Sequence, residues 1–170
     1  MKRGRFMLYA FMMVVILAVP MAYGEDAAPE ALAKKLNDIM LQGPAQKHWQ
    51  IPANDVYAMI QEKKKDFLIV DVRPNPQEYK DGHIPGSVAI SYHEILKPEN
   101  LAKLPKDKKV ILVCVTGQNA NLPIVPLRAL GYDAYTMIFG YTAWGKDYRG
   151  AKLMQDAIQG AATKNYPVEK

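Results

Sequence analysis

Cys114 is the only cysteine in the 170 residues, and it ends the apolar run Lys109-Val110-Ile111-Leu112-Val113. An uncharged polar loop follows, Val115-Thr116-Gly117-Gln118-Asn119, and then a helix-like stretch ending at Leu130-Gly131. A thiol at the carboxyl end of a strand, under a loop of backbone N–H groups, is placed for thiolate or persulfide chemistry. In open α/β sheets ligands bind outside the carboxyl ends of the strands, and successive loop amides favour anions there. The plainer reading of Cys114 is a small buried hydrophobe. The candidate anion-binding loop is Val115 to Asn119, with the side chains of Thr116, Gln118 and Asn119 as neutral donors. Asp71 and Arg73 read as a hydrogen-bonded or ionic brace beneath that loop rather than an acid/base pair. His83 reads as a turn brace. His48 and His93 have no partners at metal-ligand spacing, so no metal site is expected.

The surrounding pattern says what must position these groups. Phe67-Leu68-Ile69-Val70-Asp71-Val72 and the run ending at Cys114 are apolar without alternation, as strands covered on both faces require. Val88-Ala89-Ile90 and Ala134 to Ile138 read as further strands. Helices are expected over Pro29 to Leu41, from Asn54 or Asp55 to about Lys64, over part of Leu96 to Leu104, and after Cys114. One short turn is expected over Gln77 to Lys80, and another helix starts near Tyr141. Lys47 to Ile51 reads as an irregular link. Strands alternating with helices indicate an α/β domain with a mostly parallel central sheet flanked by helices. Leu153, Met154, Ala157 and Ile158 recur at helical spacing. Cover for the core is the expected role of that helix, with a partner-binding face as the alternative.

The amino terminus reads as an export signal. Lys2-Arg3-Gly4-Arg5 precedes the uncharged run Phe6 to Val19, and Ala22-Tyr23-Gly24 supplies small residues before a cut. The expected organisation is a signal peptide or membrane anchor over 1–24, a helical extension over 25–50, and one domain over 51–170. Localisation is then periplasmic, or anchored with the domain outside the cytoplasm. Setting Lys2, Arg3 and Arg5 aside leaves 19 of the 22 Lys and Arg against 17 Asp and Glu. A balance this mild argues against a nucleic-acid partner. A lone cysteine in a compartment that permits disulfides is either buried and inert or kept for chemistry.

From about Ile51 to Trp144 the motif order resembles the rhodanese-like family. The residues that carry the resemblance are Leu68-Ile69-Val70-Asp71-Val72-Arg73, then Glu78-Tyr79, then Gly82-His83-Ile84-Pro85-Gly86-Ser87. Val110 to Cys114, Leu127 to Asp133 and Gly140 to Trp144 continue it, and Asn165 to Lys170 resembles the usual tail, displaced by a helical insertion about 145–164. The resemblance implies sulfane-sulfur transfer with Cys114 as nucleophile and persulfide site. It implies a small sulfur-containing anion or thiol as partner, a protein sulfur acceptor as a further candidate, and no metal or organic cofactor. Two departures bear on this. Active members usually carry arginine just after the cysteine and at the loop's close, where this chain has Val115 and Asn119. Pro123 and Pro126 also interrupt the helix behind the loop, which is expected to start late or be distorted. The alternatives are an inactive binding module and a thiol redox sensor. A phosphatase is disfavoured, because no arginine follows the loop before Arg128.

Overall fold

The computed structural model describes residues 27–170, so the segment read as an export signal lies outside the described residues. Among the described residues five strands form one sheet: β1 Gln50–Ile51, β2 Phe67–Asp71, β3 Val88–Ala89, β4 Lys109–Val113 and β5 Asp133–Met137. Their order is β1-β5-β4-β2-β3, and every pairing is parallel. The expected class, a parallel α/β sheet flanked by helices, is the one observed.

The unbroken apolar runs of β2 and β4 have a direct cause. Side chains alternate across a sheet, so a run apolar at every position needs cover on both faces. On one face Val70, Val110, Leu112 and Cys114 pack with Ile124, Leu127 and Trp49. On the other, Ile69, Ile111 and Val113 pack with Val56, Met59 and Met137. Among the described residues the α-helices are α1 Ala27–Met40, α2 Ala53–Gln61, α3 Pro76–Asp81, α4 Pro98–Leu101, α5 Gln118–Asn121, α6 Ile124–Ala129 and α7 Arg149–Lys164. Among the described residues, no helix is long and apolar enough to cross a membrane.

Three local departures from the sequence reading have physical reasons. The link expected over Lys47 to Ile51 contains edge strand β1, which is too short for any period to be seen. Its register is fixed by pairing Gln50 with Thr136 and Ile51 with Met137. The helix start expected at Tyr141 is only a 3-10 turn, Gly140–Ala143. The helix behind Cys114 is split in two, with Leu122 and Pro123 at the break. That break puts Pro126 in the first turn of α6, where a missing N–H costs little. The helix therefore starts on time, at Gln118, but its first piece is a single turn. The end of α6 follows its signal: Gly131 has φ +84, its N–H donates to the Arg128 carbonyl at 2.9 Å, and that of Tyr132 to Leu127 at 3.0 Å.

The cover expected from the carboxyl-terminal helix is confined to its start. Gly150 is buried against Thr142 and Val115, and a side chain there would overlap Thr142. Beyond that turn, Leu153 is 52% and Ile158 68% exposed and Ala157 is exposed, so of the apolar residues that suggested core cover only Met154 is half-buried.

Candidate active site

The chain leaves β2 toward β3 on one side and leaves β4 toward β5 on the other. The crevice at the carboxyl ends of β2 and β4 is thus the switch point of the sheet, where open α/β folds bind ligands. Asp71 pairs with Val113 across these strands, so Cys114 and Arg73 emerge beside each other.

The Cys114 sulfur accepts two backbone hydrogen bonds, from Gly117 N–H at 3.1 Å and Ala120 N–H at 3.4 Å. The curl that aims both amides inward turns at Gly117, which has φ +88, a conformation natural only to glycine. A second glycine closes the site from below. Gly140 has φ +53, and a Cβ there would overlap the Cys114 carbonyl oxygen. The following turn holds the loop: Tyr141 N–H donates to the Cys114 carbonyl at 2.7 Å, and Thr142 N–H and Oγ1 donate to that of Val115 at 3.0 and 2.7 Å.

Of the five amides in the expected cradle, the structure aims that of Gly117 at the sulfur and adds that of Ala120, one residue beyond the range. Val115, Thr116 and Asn119 are half-buried and Gln118 is exposed. No side chain of Thr116, Gln118 or Asn119 hydrogen-bonds the sulfur. Cys114 itself is only 2% exposed, while Leu122 is 63% exposed. The sulfur is thus deep, with two inward N–H groups on it and Ala120, Ile124 and Leu127 in its apolar cluster.

Arg73 spends its charge on structure. Its guanidinium meets the Asp71 carboxylate at 2.6–3.1 Å, donates to the Gly82 carbonyl at 2.7 Å, and lies 4.2 Å over the Tyr141 ring. Burial opposes the guanidinium's charge, but Asp71 and the Tyr148 hydroxyl outweigh it and hold Arg73 protonated above its usual range. Neither Asp71 nor Arg73 bonds the sulfur. The brace extends outward through Glu78, which accepts from Tyr148 Oη at 2.6 Å and Arg149 Nε at 2.8 Å. The Arg149 hydrogen bond keeps the Glu78 carboxyl below its ordinary pKa, against the opposing effect of burial. His83 sits where a turn brace would: its Nδ1 is 2.9 Å from the Tyr79 carbonyl and its ring stacks on Tyr79. Among the described residues, no three His, Cys, Asp or Glu side chains are grouped to hold a metal ion.

Sequence reasoning missed the Ala120 amide, the Tyr148–Glu78–Arg149 tie and Thr136. Thr136 is the residue with a legible signal, since a hydroxyl inside a strand core needs a partner. It is 1% exposed, and its Oγ1 has none among the described residues.

A parallel α/β sheet thus carries a thiol at its switch point, with two backbone N–H groups directed at the sulfur. The chain belongs to the rhodanese-like domain family, whose model matches residues 52–147. It is 36% identical to the thiosulfate sulfurtransferase GlpE of Pseudoalteromonas translucida, over 50% of this chain and 79% of that protein. It is 33% identical to the probable adenylyltransferase/sulfurtransferase MoeZ of Mycobacterium tuberculosis, over 53% of this chain but only 23% of that much longer protein. The crystal structure of a rhodanese-like domain protein from Staphylococcus aureus superposes with a TM-score of 0.51 at 31% identity, covering 58% of this chain and 92% of that one. These relatives support membership of a sulfurtransferase family.

Proposed function

We propose that this protein is an exported sulfane-sulfur carrier that forms a persulfide on Cys114. The observation that carries the reading is the pair of N–H groups, from Gly117 and Ala120, directed at the sulfur. Donors fixed in that position favour a thiolate, and then a persulfide anion, without reorganising when the charge appears. The Cys114 thiolate attacks the outer sulfur of a donor; the donor's S–S bond breaks and its electron pair leaves with the inner fragment. A thiol acceptor then attacks the outer sulfur of the persulfide and returns Cys114 as thiolate. Splitting one transfer into two displacements is what a covalent intermediate contributes. The names of the relatives support sulfur transfer, from thiosulfate in the first of them; a polysulfide as donor and a small thiol or a protein as acceptor are part of the proposal. Export rests on the charged, then apolar, then small-residue pattern of 1–24.

A second reading, a binding module without turnover, draws on the depth of Cys114 and the absence of any cation in Val115 to Asn119. Transfer of labelled sulfur from a polysulfide to a thiol acceptor separates the two. The carrier predicts labelled acceptor with the wild type and none above background with Cys114→Ser. Equal, background-level transfer by both folded proteins would favour the binding module.

A further inference from the structure

Cys114 is 2% exposed, so neither a sulfur donor nor an acceptor can line up with its sulfur while the surrounding backbone stays in place. Part of that surround must move for sulfur to pass. Gly117 and Ala120 are poorly suited to move, because their N–H groups are the ones that hold the sulfur. The other side is the backbone of Cys114 and Val115. Their carbonyls accept from Tyr141 and Thr142 in the 3-10 turn that follows β5. That turn is braced in its own right by the start of α7. Gly150 is buried, and a Cβ there would overlap Thr142 Oγ1 and lie 3.2 Å from Val115 Cγ1. The Tyr148 ring meets that of Tyr141 edge-on, with centroids 4.9 Å apart. Glu78 then fastens the helix start to the body, accepting from Tyr148 Oη at 2.6 Å and Arg149 Nε at 2.8 Å.

Little else holds α7. From Lys152 to Lys164 only Met154 and Gly160 are half-buried, and the other residues are exposed. An element with so few buried contacts opens at a lower free energy than the core does. The helix is also joined to the body through Asp147, whose φ of +57 lies in the left-handed region that few side chains adopt. Such a conformation persists where neighbouring contacts impose it, and it recurs at switch segments. The helix begins just past residue 147, where the match to the family model ends. The cysteine loop is thus steadied by a segment that lies outside the matched domain and is attached mainly by its first turn.

We propose that the start of α7 is a latch that keeps Cys114 closed to reactants. Release of Tyr148 and Arg149 from Glu78, with Gly150 lifting off Thr142 and Val115, frees the 3-10 turn and opens the loop. This inference rests on Cys114 being the persulfide site, and it names what regulates access to that site. The latch makes no bond to the sulfur. Glu78, Tyr148 and Arg149 are therefore positioning residues, and they act through Tyr141, Thr142 and Val115. The two N–H groups on the sulfur belong to Gly117 and Ala120, outside the moving part, so the opened site keeps its stabilisation of a thiolate or persulfide.

The test is the rate at which iodoacetamide alkylates Cys114 in the folded protein, read by intact mass over a series of low urea concentrations. The wild type should react at least ~10-fold more slowly than a small model thiol, with a rate nearly flat in urea, because a local opening exposes little surface. Glu78→Gln, which weakens the tie, should raise the rate severalfold. Gly150→Ala, which wedges the helix off Thr142, should raise it at least ~10-fold. Neither variant should steepen the urea dependence, and Leu153→Ser, on the exposed face of α7, should change nothing. Glu78→Gln alone decides the matter if Gly150→Ala fails to fold. A wild type as reactive as the model thiol would overturn the latch. So would rates unmoved in the latch variants, or a steep urea dependence showing that only global unfolding exposes the sulfur. Polysulfide loading of the same proteins separates the two readings: alkylation that quickens in the variants while polysulfide adds no sulfur would keep the latch and remove the carrier.

Discussion

At Cys114 the chemistry depends on backbone rather than side chains. Two amides face the sulfur, and Arg73, just past the end of the neighbouring strand, is committed to Asp71. That pairing has side-chain exposures of 1% and 3%, so it is fully desolvated. Asp71→Asn leaves the guanidinium buried with half its partner lost, and breaking a buried pair from one side costs ~3–5 kcal/mol. Denaturant unfolding should show that loss, and a loss below ~1 kcal/mol would mean that solvent reaches the pair. Cys114, the uncharged loop and the Asp71–Arg73 brace were all legible in the sequence, because residue type and order carry them. The Ala120 amide was not. Which N–H groups turn inward depends on the curl at Gly117 and on the turn at Gly140, and neither leaves a mark on Ala120 itself.

Elements were legible where they are long and apolar. β2 and β4 follow from uninterrupted burial, and α6 ends on its glycine signal. β1 has two residues and owes its existence to pairing with β5, so no local pattern announces it. The split between α5 and α6 was half visible: the prolines predict trouble, but only packing decides that the break falls at Leu122–Pro123. α7 misleads because its apolar spacing is real while Leu153 and Ile158 stay exposed among the described residues. What fixes α7 is its first turn, through Gly150 on Thr142 and Val115, and Arg149 and Tyr148 on Glu78. Glu78 has a lowered pKa in the folded protein, so its contribution is present above its ordinary carboxylate value of 4.5 and lost as pH falls through the folded value. Arg149 is half exposed, which limits the effect to ~1 kcal/mol. Glu78→Gln should therefore unfold more easily than wild type at neutral pH, with the gap closing in acid. Parallel stability curves across the acid range would show that the tie to α7 contributes nothing through charge.

The whole molecule places a thiol at the switch point of a parallel sheet, on a loop locked from below by Gly140 and from the side by the start of α7. Both faces of the sheet are covered, so the carboxyl-end crevice is where chemistry can reach a strand end. Fold class and family could be read from the order of motifs, whereas the closure of the loop needs Glu78 and the start of α7 brought together from distant parts of the chain. Export and sulfur carriage meet in a single observable, the intact mass of the protein recovered from its native host under non-reducing and reducing conditions. A mature chain beginning at Glu25, heavier by one sulfur atom before reduction and not after, with the extra mass absent in Cys114→Ser, is the predicted result. A chain that never carries added sulfur, even after exposure to a persulfide donor, would contradict the central claim.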